Sequence, residues 1–302
     1  MSSRILFVED DAIFRDTYVD VLRRDGYDVA GAATAEEARG LLAGSQDWEL
    51  VVTDERLRGG DGPAMGSDVA REVALLVPHA KTIIITAWPT DASVTAGFEA
   101  GAWDYLVKGD GFEPMLRIKV RNALDAVRSA RLARLPETAL EAELQQWWQV
   151  ARTEADRHRK GYALEQTLVC LFRSISGLSE VDVRRRNRVE EIDLVVANNS
   201  PEPYWQKLGA YLLVECKNWQ EAVGPGELSR LADRLLARPG IAKVGFLVST
   251  RGFTDPAREK LRSLMERGIW IVPVDGEQLD TLVRTHEREP TLRKLLHAAV
   301  VP

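Results

Sequence analysis

Two carboxylates and one lysine, placed on neighbouring apolar runs, are the residues best suited to do chemistry. Asp193 stands in the run Ile192–Val196, and Glu215 and Lys217 end the run Tyr211–Lys217. Each run is typical of a strand. Side chains two residues apart share a strand face, so Lys217 is expected to point the same way as Glu215. Two carboxylates can hold a divalent metal that neutralises a phosphodiester and acidifies water, which predicts metal-dependent phosphodiester hydrolysis.

Other polar residues near this constellation are candidates for supporting roles. Glu165, on the preceding helical stretch, could bind a second metal or hydrogen-bond a metal water, or it could be an ordinary exposed helix glutamate. Candidate phosphate contacts along DNA are Arg184, Arg186, Arg188, Asn218 and Arg251. An exposed strand face explains the arginine run equally well. Trp147 and Trp148 could stack on bases, but helix packing is the stronger interpretation.

A second acidic constellation lies near the start of the chain. Glu9 and Asp10 follow the apolar run Ile5–Val8, and Asp54 follows Leu50–Thr53. In an open parallel sheet the carboxyl ends of the strands form the ligand crevice. Three carboxylates there need a cation, and oxygen ligands with room for water favour Mg²⁺. Thr86 and Lys108 end two further strands at the same edge, an arrangement suited to a phosphoryl group on Asp54.

The elements that position these residues follow from hydrophobic periodicity. Strands at 5–8, 29–31, 50–53, 82–85 and 103–107 alternate with helices such as 12–24 and 35–42, which predicts a doubly wound five-stranded parallel sheet. Helical patterns over 112–134 and from 137 to 151 predict a helical connector. The remainder predicts an α/β unit with a mixed sheet: strands at 181–188, 192–197, 211–217, 244–249 and 269–274, helices at 162–176, 227–238, 255–267 and 278–284, and a loop at 198–207.

Three segments are therefore expected: residues 1–111, a connector at 112–160 and a second domain at 161–302. The apolar positions along the first connector helix form a seam that could be a dimer coiled coil or could pack on its own domain; they are Leu116, Val120, Ala123, Val127 and Ala130. Two heptads do not separate these alternatives.

Composition narrows the class of protein. The 302 residues are 45% apolar, without a run long enough for a membrane helix or a signal peptide, so no membrane partner is expected. Cys170 and Cys216 lie in apolar segments, which fits a reducing cytoplasm, and the four histidines lack zinc-ligand spacing. The net charge of −6 is uneven: residues 1–111 carry 10 basic and 20 acidic side chains, and residues 112–302 carry 30 and 26. The second part is the better candidate for contacting a polyanion.

The first 111 residues resemble the receiver domain of bacterial response regulators, a flavodoxin-like fold. The resemblance implies the following roles: metal binding by Glu9 and Asp10 beside Asp54, phosphorylation of Asp54, phosphoryl contacts by Thr86 and Lys108, and a switch aromatic at Tyr105. It also implies Mg²⁺ and a sensor histidine kinase as partner. Gly109 replaces the proline usual after the lysine, and the loop 56–66 lacks the usual Met-Pro.

Residues from about Gly161 to Val283 resemble the Mrr-type branch of restriction-endonuclease-like enzymes, the PD-(D/E)-x-K superfamily. The motifs are Glu165, Ile192–Val195, Val214–Asn218, and Leu247–Ser249 followed by Gly252–Thr254. The resemblance implies a catalytic core of Asp193, Glu215 and Lys217, with Glu165 as an accessory. Mg²⁺ is the expected metal, with Mn²⁺ as an alternative in this site. The usual proline before the first aspartate is absent.

These observations favour a two-component response regulator in which phosphorylation of Asp54 controls a Mg²⁺-dependent DNA endonuclease. A homodimer would offer one active site per DNA strand. Two competing hypotheses stay open. One is a regulator that binds DNA through an endonuclease-like domain without cutting it, and the other is a signalling hub whose second domain docks a protein.

Overall fold

The structure, a computed structural model, describes residues 3–58, 64–182 and 192–300. The chain divides into two compact units, Met1–Arg131 and Leu132–Pro302. Within the described ranges, every helix is too short or too polar to cross a bilayer.

The first unit is a parallel sheet with helices on both faces. Its strands are β1 (Arg4–Val8), β2 (Asp28–Ala32), β3 (Trp48–Asp54), β6 (Lys81–Thr86) and β7 (Asp104–Val107), with the short hairpin β4 (Arg56–Leu57) and β5 (Ala64–Met65) beside them. Its helices are α1 (Ala12–Arg24), α2 (Ala35–Gly44), α3 (Gly66–Leu76), α4 (Asp91–Glu99) and α5 (Phe112–Leu132). The sheet order β2-β1-β3-β6-β7 is the flavodoxin-like doubly wound order.

Alternation along β1 explains why helices cover both faces. Ile5 and Phe7 enter one core with α1 and α5, whereas Leu6 and Val8 enter the other with α2 and α3. All four side chains are fully buried. The predicted five-stranded doubly wound sheet is confirmed, with strand ends within two residues of the expected positions. The β4–β5 hairpin escaped prediction because two-residue strands have no measurable periodicity.

Helix α5 packs the first half of its seam on its own unit. Leu116, Val120 and Ala123 are buried in the same core as Ile5 and Phe7. Of the two roles considered for the seam, packing on its own domain therefore holds for these three positions. A dimer contact through the later positions stays a prediction.

The second unit is a mixed sheet between two helical layers. Its strands are β8 (Leu178–Asp182), β9 (Leu194–Asn198), β10 (Tyr211–Lys217), β11 (Ala242–Ser249) and β12 (Trp270–Asp275). Its helices are α6 (Glu137–Thr153), α7 (Arg157–Arg173), α8 (Pro203–Gln206), α9 (Pro225–Leu236), α10 (Asp255–Glu266), α11 (Gly276–Arg284) and α12 (Arg288–Val300). In the order β12-β11-β10-β9-β8, the first three strands are parallel and the last two pair antiparallel, as expected for a mixed sheet.

The two faces of β10 lead to different cores. Leu212 and Val214 pack in the core that holds residues of α6, α7, α11 and α12. Leu213 packs in the core that holds residues of α9 and α10. Because side chains alternate, Glu215 and Lys217 continue the Leu213 face toward α9. This alternation places Glu215 and Lys217 on the side of the sheet that α9 covers.

Some element boundaries differ from the sequence prediction. Helix α7 begins at Arg157 rather than at residue 162, because the Asp156 side chain accepts a hydrogen bond from the Arg159 N–H and caps it. The predicted loop 198–207 contains α8, with proline at its first turn. Strand β9 begins at Leu194, so Asp193 stands just before the strand. The predicted strand over 181–188 is seen as Leu178–Asp182, and residues 183–191 lie outside the described ranges.

Candidate functional site

Three carboxylates of the first unit meet where β1 and β3 end. Glu9, Asp10 and Asp54 each offer an oxygen within 4.8 Å of the others, and this is the one such cluster among the described residues. Glu9 and Asp54 are buried, at 2% and 7% exposure. Oxygens gathered this closely suit a small hard cation such as Mg²⁺, so the residues fit the metal that the receiver resemblance implies.

Lys108 neutralises this cluster from the end of β7. Its Nζ lies 2.6 Å from Asp54 Oδ1 and 2.7 Å from Glu9 Oε2, and 4.4 Å from the centre of the Phe14 ring. Burial raises the pKa of Glu9, although Lys108 opposes the shift. The other Asp54 oxygen accepts a hydrogen bond from the Arg56 N–H at 2.9 Å. Lys108 can therefore contact both the metal cluster and any group carried by Asp54.

Thr86 and Tyr105 lie on adjacent strands beside this cluster. Thr86 ends β6, is 2% exposed and accepts a hydrogen bond from the Trp88 N–H through its hydroxyl at 3.2 Å. The Tyr105 hydroxyl lies 3.3 Å from Ser93 Oγ, and burial raises the pKa of Tyr105. Both residues therefore lie at the sheet edge that the sequence predicted, and their roles as phosphoryl contact and switch aromatic stay predictions.

Sequence reasoning overlooked Glu55, which directly follows Asp54. It is 1% exposed, and neither of its carboxylate oxygens has a hydrogen-bond partner within the described part of the chain. Burial, followed by the charge of Asp54, raises the pKa of Glu55 to about 7. A buried acid one residue after a strand end carries no distinguishing periodicity, so only the packed structure reveals it.

In the second unit, the structure brings Asp193, Glu215 and Lys217 together. Lys217 Nζ lies 3.2 Å from Glu215 Oε2 and 3.6 Å from Asp193 Oδ2. Asp193 Oδ2 also accepts a hydrogen bond from the Cys216 N–H at 2.9 Å, which fixes the first acid against β10. The side chains are 15%, 5% and 16% exposed for Asp193, Glu215 and Lys217. Asp193, which lies 22 positions before Glu215 in sequence, thus shares one largely buried pocket of charge with Glu215 and Lys217.

Helix α9 contributes two charged residues that sequence reasoning did not find. Glu227 Oε2 lies 3.9 Å from Lys217 Nζ, and Arg234 makes a close ion pair with Glu215 through Nη1 and Oε1. Both side chains are largely buried, at 12% and 17% exposure. They lie seven residues apart, which is two helical turns on one face, so amphipathic spacing was the available signal.

Glycine at position 245 allows α9 to lie this close to the sheet. A Cβ at Gly245 would stand 3.1 Å from Leu231 Cδ2 and 3.2 Å from Leu235 Cδ1. Both leucines are on α9, between and beside the charged residues that reach the site. The close helix–sheet approach therefore places Glu227 and Arg234 over the end of β10.

The charges in this pocket perturb one another strongly. Burial, followed by the charge of Asp193, raises the pKa of Glu215 to about 7, although Lys217 and Arg234 oppose the shift. Burial would lower the pKa of Lys217, but the charges of Asp193 and Glu215 outweigh it and the pKa is raised. Two buried carboxylates beside a lysine that stays protonated fit a hard divalent cation by donor chemistry. The acids here are spread more widely than in the first unit, with Lys217 bridging them.

Glu165 lies on α7 and is 8% exposed, so it is not the exposed helix glutamate considered above. Burial raises the pKa of the Cys216 thiol well above its usual range, and the charges of Asp193 and Glu165 add to the effect. Glu165 therefore acts on the same stretch of β10 as Asp193. Its role as an accessory carboxylate stays a prediction.

The side chains predicted to contact DNA differ in their exposure and in their hydrogen bonds. Asn218 is engaged inside its unit: its amide donates to the Ala151 and Lys160 carbonyls at 3.0 Å each, and its oxygen accepts from the Thr250 hydroxyl at 2.9 Å. Arg251 is exposed beside a cavity of about 980 Å³ at the carboxyl ends of the parallel strands. Arg184, Arg186 and Arg188 lie outside the described residues.

The paired tryptophans serve helix packing. Trp148 is 5% exposed and donates from its indole N–H to Asp280 Oδ1 at 2.8 Å. Trp147 packs edge-on against Tyr162, with ring centres 5.9 Å apart. The packing interpretation of both residues agrees with these contacts.

Two family models match the chain, one in each unit. The model described as response regulator receiver domain matches residues 5–118, and the model described as restriction endonuclease matches residues 157–283. The two matches together correspond to the fusion that the motifs indicated.

Individual relatives match part of the chain. The chemotaxis protein CheY of Thermotoga maritima is 31% identical over 123 residues, which is 40% of this chain and 97% of CheY. The transcriptional regulatory protein AruR of Pseudomonas aeruginosa is 31% identical over 165 residues, which is 53% of this chain and 63% of AruR. A receiver domain protein structure from Methanospirillum hungatei is 27% identical, covers 42% of this chain and 98% of that one, and has a TM-score of 0.39. The chain spans less than two thirds of the length of regulators such as AruR.

Proposed function

Since the chain belongs to the response regulators and joins their receiver domain to a domain of the restriction-endonuclease family, we propose that it is a phosphorylation-controlled, Mg²⁺-dependent DNA endonuclease. The supporting observation is the convergence of Asp193, Glu215 and Lys217 on one buried pocket. Burying three charges costs free energy unless they are mutually paired or bind a ligand.

In this proposal each side chain of the pocket has a defined task. Asp193 and Glu215 would hold the metal, whose chemistry when bound would be to neutralise the charge of the scissile phosphate. Lys217, kept protonated by the two carboxylates, donates a hydrogen bond to a phosphate oxygen and stabilises the charge that develops there. Glu165 supports the metal site as a further carboxylate. Mn²⁺ is an alternative metal because it also favours carboxylate ligands.

The receiver domain would supply the control. A sensor histidine kinase is the proposed phosphoryl donor, Asp54 the acceptor and Mg²⁺ the ion held by Glu9, Asp10 and Asp54. A phosphoryl group on Asp54 adds acceptor oxygens within reach of Lys108, whose Nζ already lies 2.6 Å from that carboxylate. Movement of Thr86 and Tyr105 toward the new group would remodel their face of the domain.

The DNA partner and the oligomeric state complete the proposal. The second part of the chain carries 30 basic and 26 acidic residues, against 10 and 20 in residues 1–111, so it is the part suited to a polyanion. Arg251, which is exposed beside the strand ends, is the proposed phosphate contact. A homodimer with two-fold symmetry would present one pocket to each DNA strand.

One observation favours a second candidate, a regulator that binds DNA without cutting it. The ion pairs of Lys217 and Arg234 already neutralise much of the acid in the pocket without a metal. Binding of a DNA duplex in EDTA and in Mg²⁺ separates the two functions. Equal affinity in both, together with intact plasmid, would favour the non-cutting regulator.

The decisive experiment is a nicking assay on supercoiled plasmid with Mg²⁺. The wild-type chain, with and without a beryllofluoride phosphoryl mimic, is compared with Lys217→Met and with Glu215→Gln. Loss of one transition-state hydrogen-bond donor costs about 10²–10³ in rate, so Lys217→Met should fall by at least that factor. A Lys217→Met protein that nicks at the wild-type rate would show that the activity comes from a contaminant or from another site.

A further inference from the structure

The pocket of the second unit contains a cation that the proposed metal chemistry does not use. Arg234 forms a close ion pair with Glu215 Oε1, while Lys217 lies 3.2 Å from Glu215 Oε2. Each oxygen of the predicted metal ligand therefore faces its own cation. Among the described residues, Glu215 is the one acceptor that the Arg234 guanidinium reaches.

A metal bound to Glu215 would destabilise the ion pair between Arg234 and Glu215. Glu215 is 5% exposed and Arg234 is 17% exposed, so water screens the pair weakly. A divalent ion held by Asp193 and Glu215 would repel a guanidinium on the same carboxylate with twice the force of a monovalent one. A buried carboxylate also has a limited number of lone-pair sites, and Arg234 already takes one side of it.

We infer that Arg234 is a built-in counter-ion that a divalent metal must displace from Glu215, so that α9 sets the metal affinity of the pocket. This inference rests on the proposed function, because it takes Glu215 as a metal ligand. Without a metal, Arg234 stabilises the buried acid. With a metal, the guanidinium leaves Glu215 and the metal takes the freed oxygen.

The neighbouring residue Arg230 provides a matched control. It lies one turn earlier on α9, is 61% exposed and pairs with Glu227 rather than with Glu215. Glu227 in turn lies 3.9 Å from Lys217, so Arg230 touches the same network from its rim. A change at Arg230 alters the charge of α9 by the same amount without freeing a metal ligand.

Calcium binding tests the inference, because Ca²⁺ uses oxygen ligands and affinity can be read by calorimetry without cleavage. All proteins are the full chain carrying Asp10→Asn, which removes a ligand of the receiver cluster. Arg234→Gln and Arg234→Met should bind Ca²⁺ at least about tenfold more tightly than the parent, equivalent to about 1.4 kcal/mol. Arg230→Gln should stay within about threefold, as expected for an exposed ion pair.

A purely structural Arg234 would give the opposite sign. Its removal would leave the Glu215 side chain less well positioned. The affinity for Ca²⁺ would then fall or stay equal, and either result would overturn the inference. Arg234→Met keeps most of the aliphatic stem, so it carries the test if Arg234→Gln does not fold. The folded state of each variant is checked by its thermal unfolding transition without metal.

Glu215→Gln in the same background separates a failure of the counter-ion inference from a failure of the proposed function. If it abolishes Ca²⁺ binding while Arg234→Gln binds like the parent, the metal site stands and the counter-ion inference fails. If Glu215→Gln binds Ca²⁺ like the parent, Glu215 is no ligand and the proposed function and the inference fail together.

Discussion

Replacing Glu55 by glutamine should change how the stability of the first unit depends on pH. Glu55 is 1% exposed, and both carboxylate oxygens lack a hydrogen-bond partner within the described ranges. Burial and the charge of Asp54 raise its pKa from 4.5 to about 7. An acid with a raised pKa binds its proton more tightly in the folded state, so folding is favoured at low pH and weakened as the acid ionises.

The magnitude follows from the size of the shift. A rise from 4.5 to about 7, at 1.36 kcal/mol per pKa unit, corresponds to about 3 kcal/mol of stability. This contribution is complete below pH 4.5 and is lost as the pH rises through 7. Glu55→Gln removes the titration, so the variant should gain about 2–3 kcal/mol over the wild type between pH 5 and pH 8.

Urea titrations of the full chain at pH 5, 6, 7 and 8 measure this difference. Hydrogen exchange of peptides from β1 and β3 reports the first unit separately from the second. Glu99→Gln, an exposed change on α4, is the matched control and should follow the wild type. If wild type and Glu55→Gln lose stability in parallel between pH 5 and pH 8, the carboxyl is not held neutral by burial and the reasoning is wrong.

Three further outcomes are expected. Asp54→Asn should take up no label from radioactive acetyl phosphate, whereas the wild type should be labelled on an acyl phosphate that hydroxylamine and base both cleave; labelling of the variant would show that another residue is the acceptor. Gly245→Val should cost about 1–3 kcal/mol in urea unfolding of the second unit, because a Cβ already stands 3.1 Å from Leu231; an unchanged midpoint would show that α9 can shift freely. Arg251→Ala should reduce the slope of log affinity for duplex DNA against log salt by about 0.9 if it neutralises one phosphate, and an unchanged slope would exclude that contact.

The predicted elements agree with the structure where local pattern decides them. Short apolar runs bounded by turn residues marked the strands of the first sheet and four of the five strands of the second, and α1 begins and ends at the predicted residues, Ala12 and Arg24. Its start is local too, since the Asp11 side chain accepts a hydrogen bond from the Phe14 N–H. Boundaries were missed where a cap or a two-residue strand made the signal too short, as at Arg157 and in the β4–β5 hairpin.

Local sequence pattern also predicted some of the site residues and missed others. Chain order and alternation placed Glu9, Asp10 and Asp54 at one sheet edge, because parallel strands bring their carboxyl ends together. Alternation also put Glu215 and Lys217 on one face of β10. Asp193 reaches Glu215 and Lys217 because β9 pairs antiparallel with β10. This pairing brings the start of β9 beside the end of β10.

Tertiary packing alone decided what surrounds these residues. The gap left by Gly245 lets α9 lie against β11 and carry Arg234 onto Glu215, a contact between residues 19 positions apart with no shared periodicity. Packing likewise buried Glu55, whose carboxylate has no hydrogen-bond partner in the part of the chain that the structure describes. The sequence by itself determined which side chains each strand presents, because φ and ψ geometry has a fixed period. The distance between the helices and the sheet decided which charges on different elements come into contact. That distance depends on the packing of the whole core.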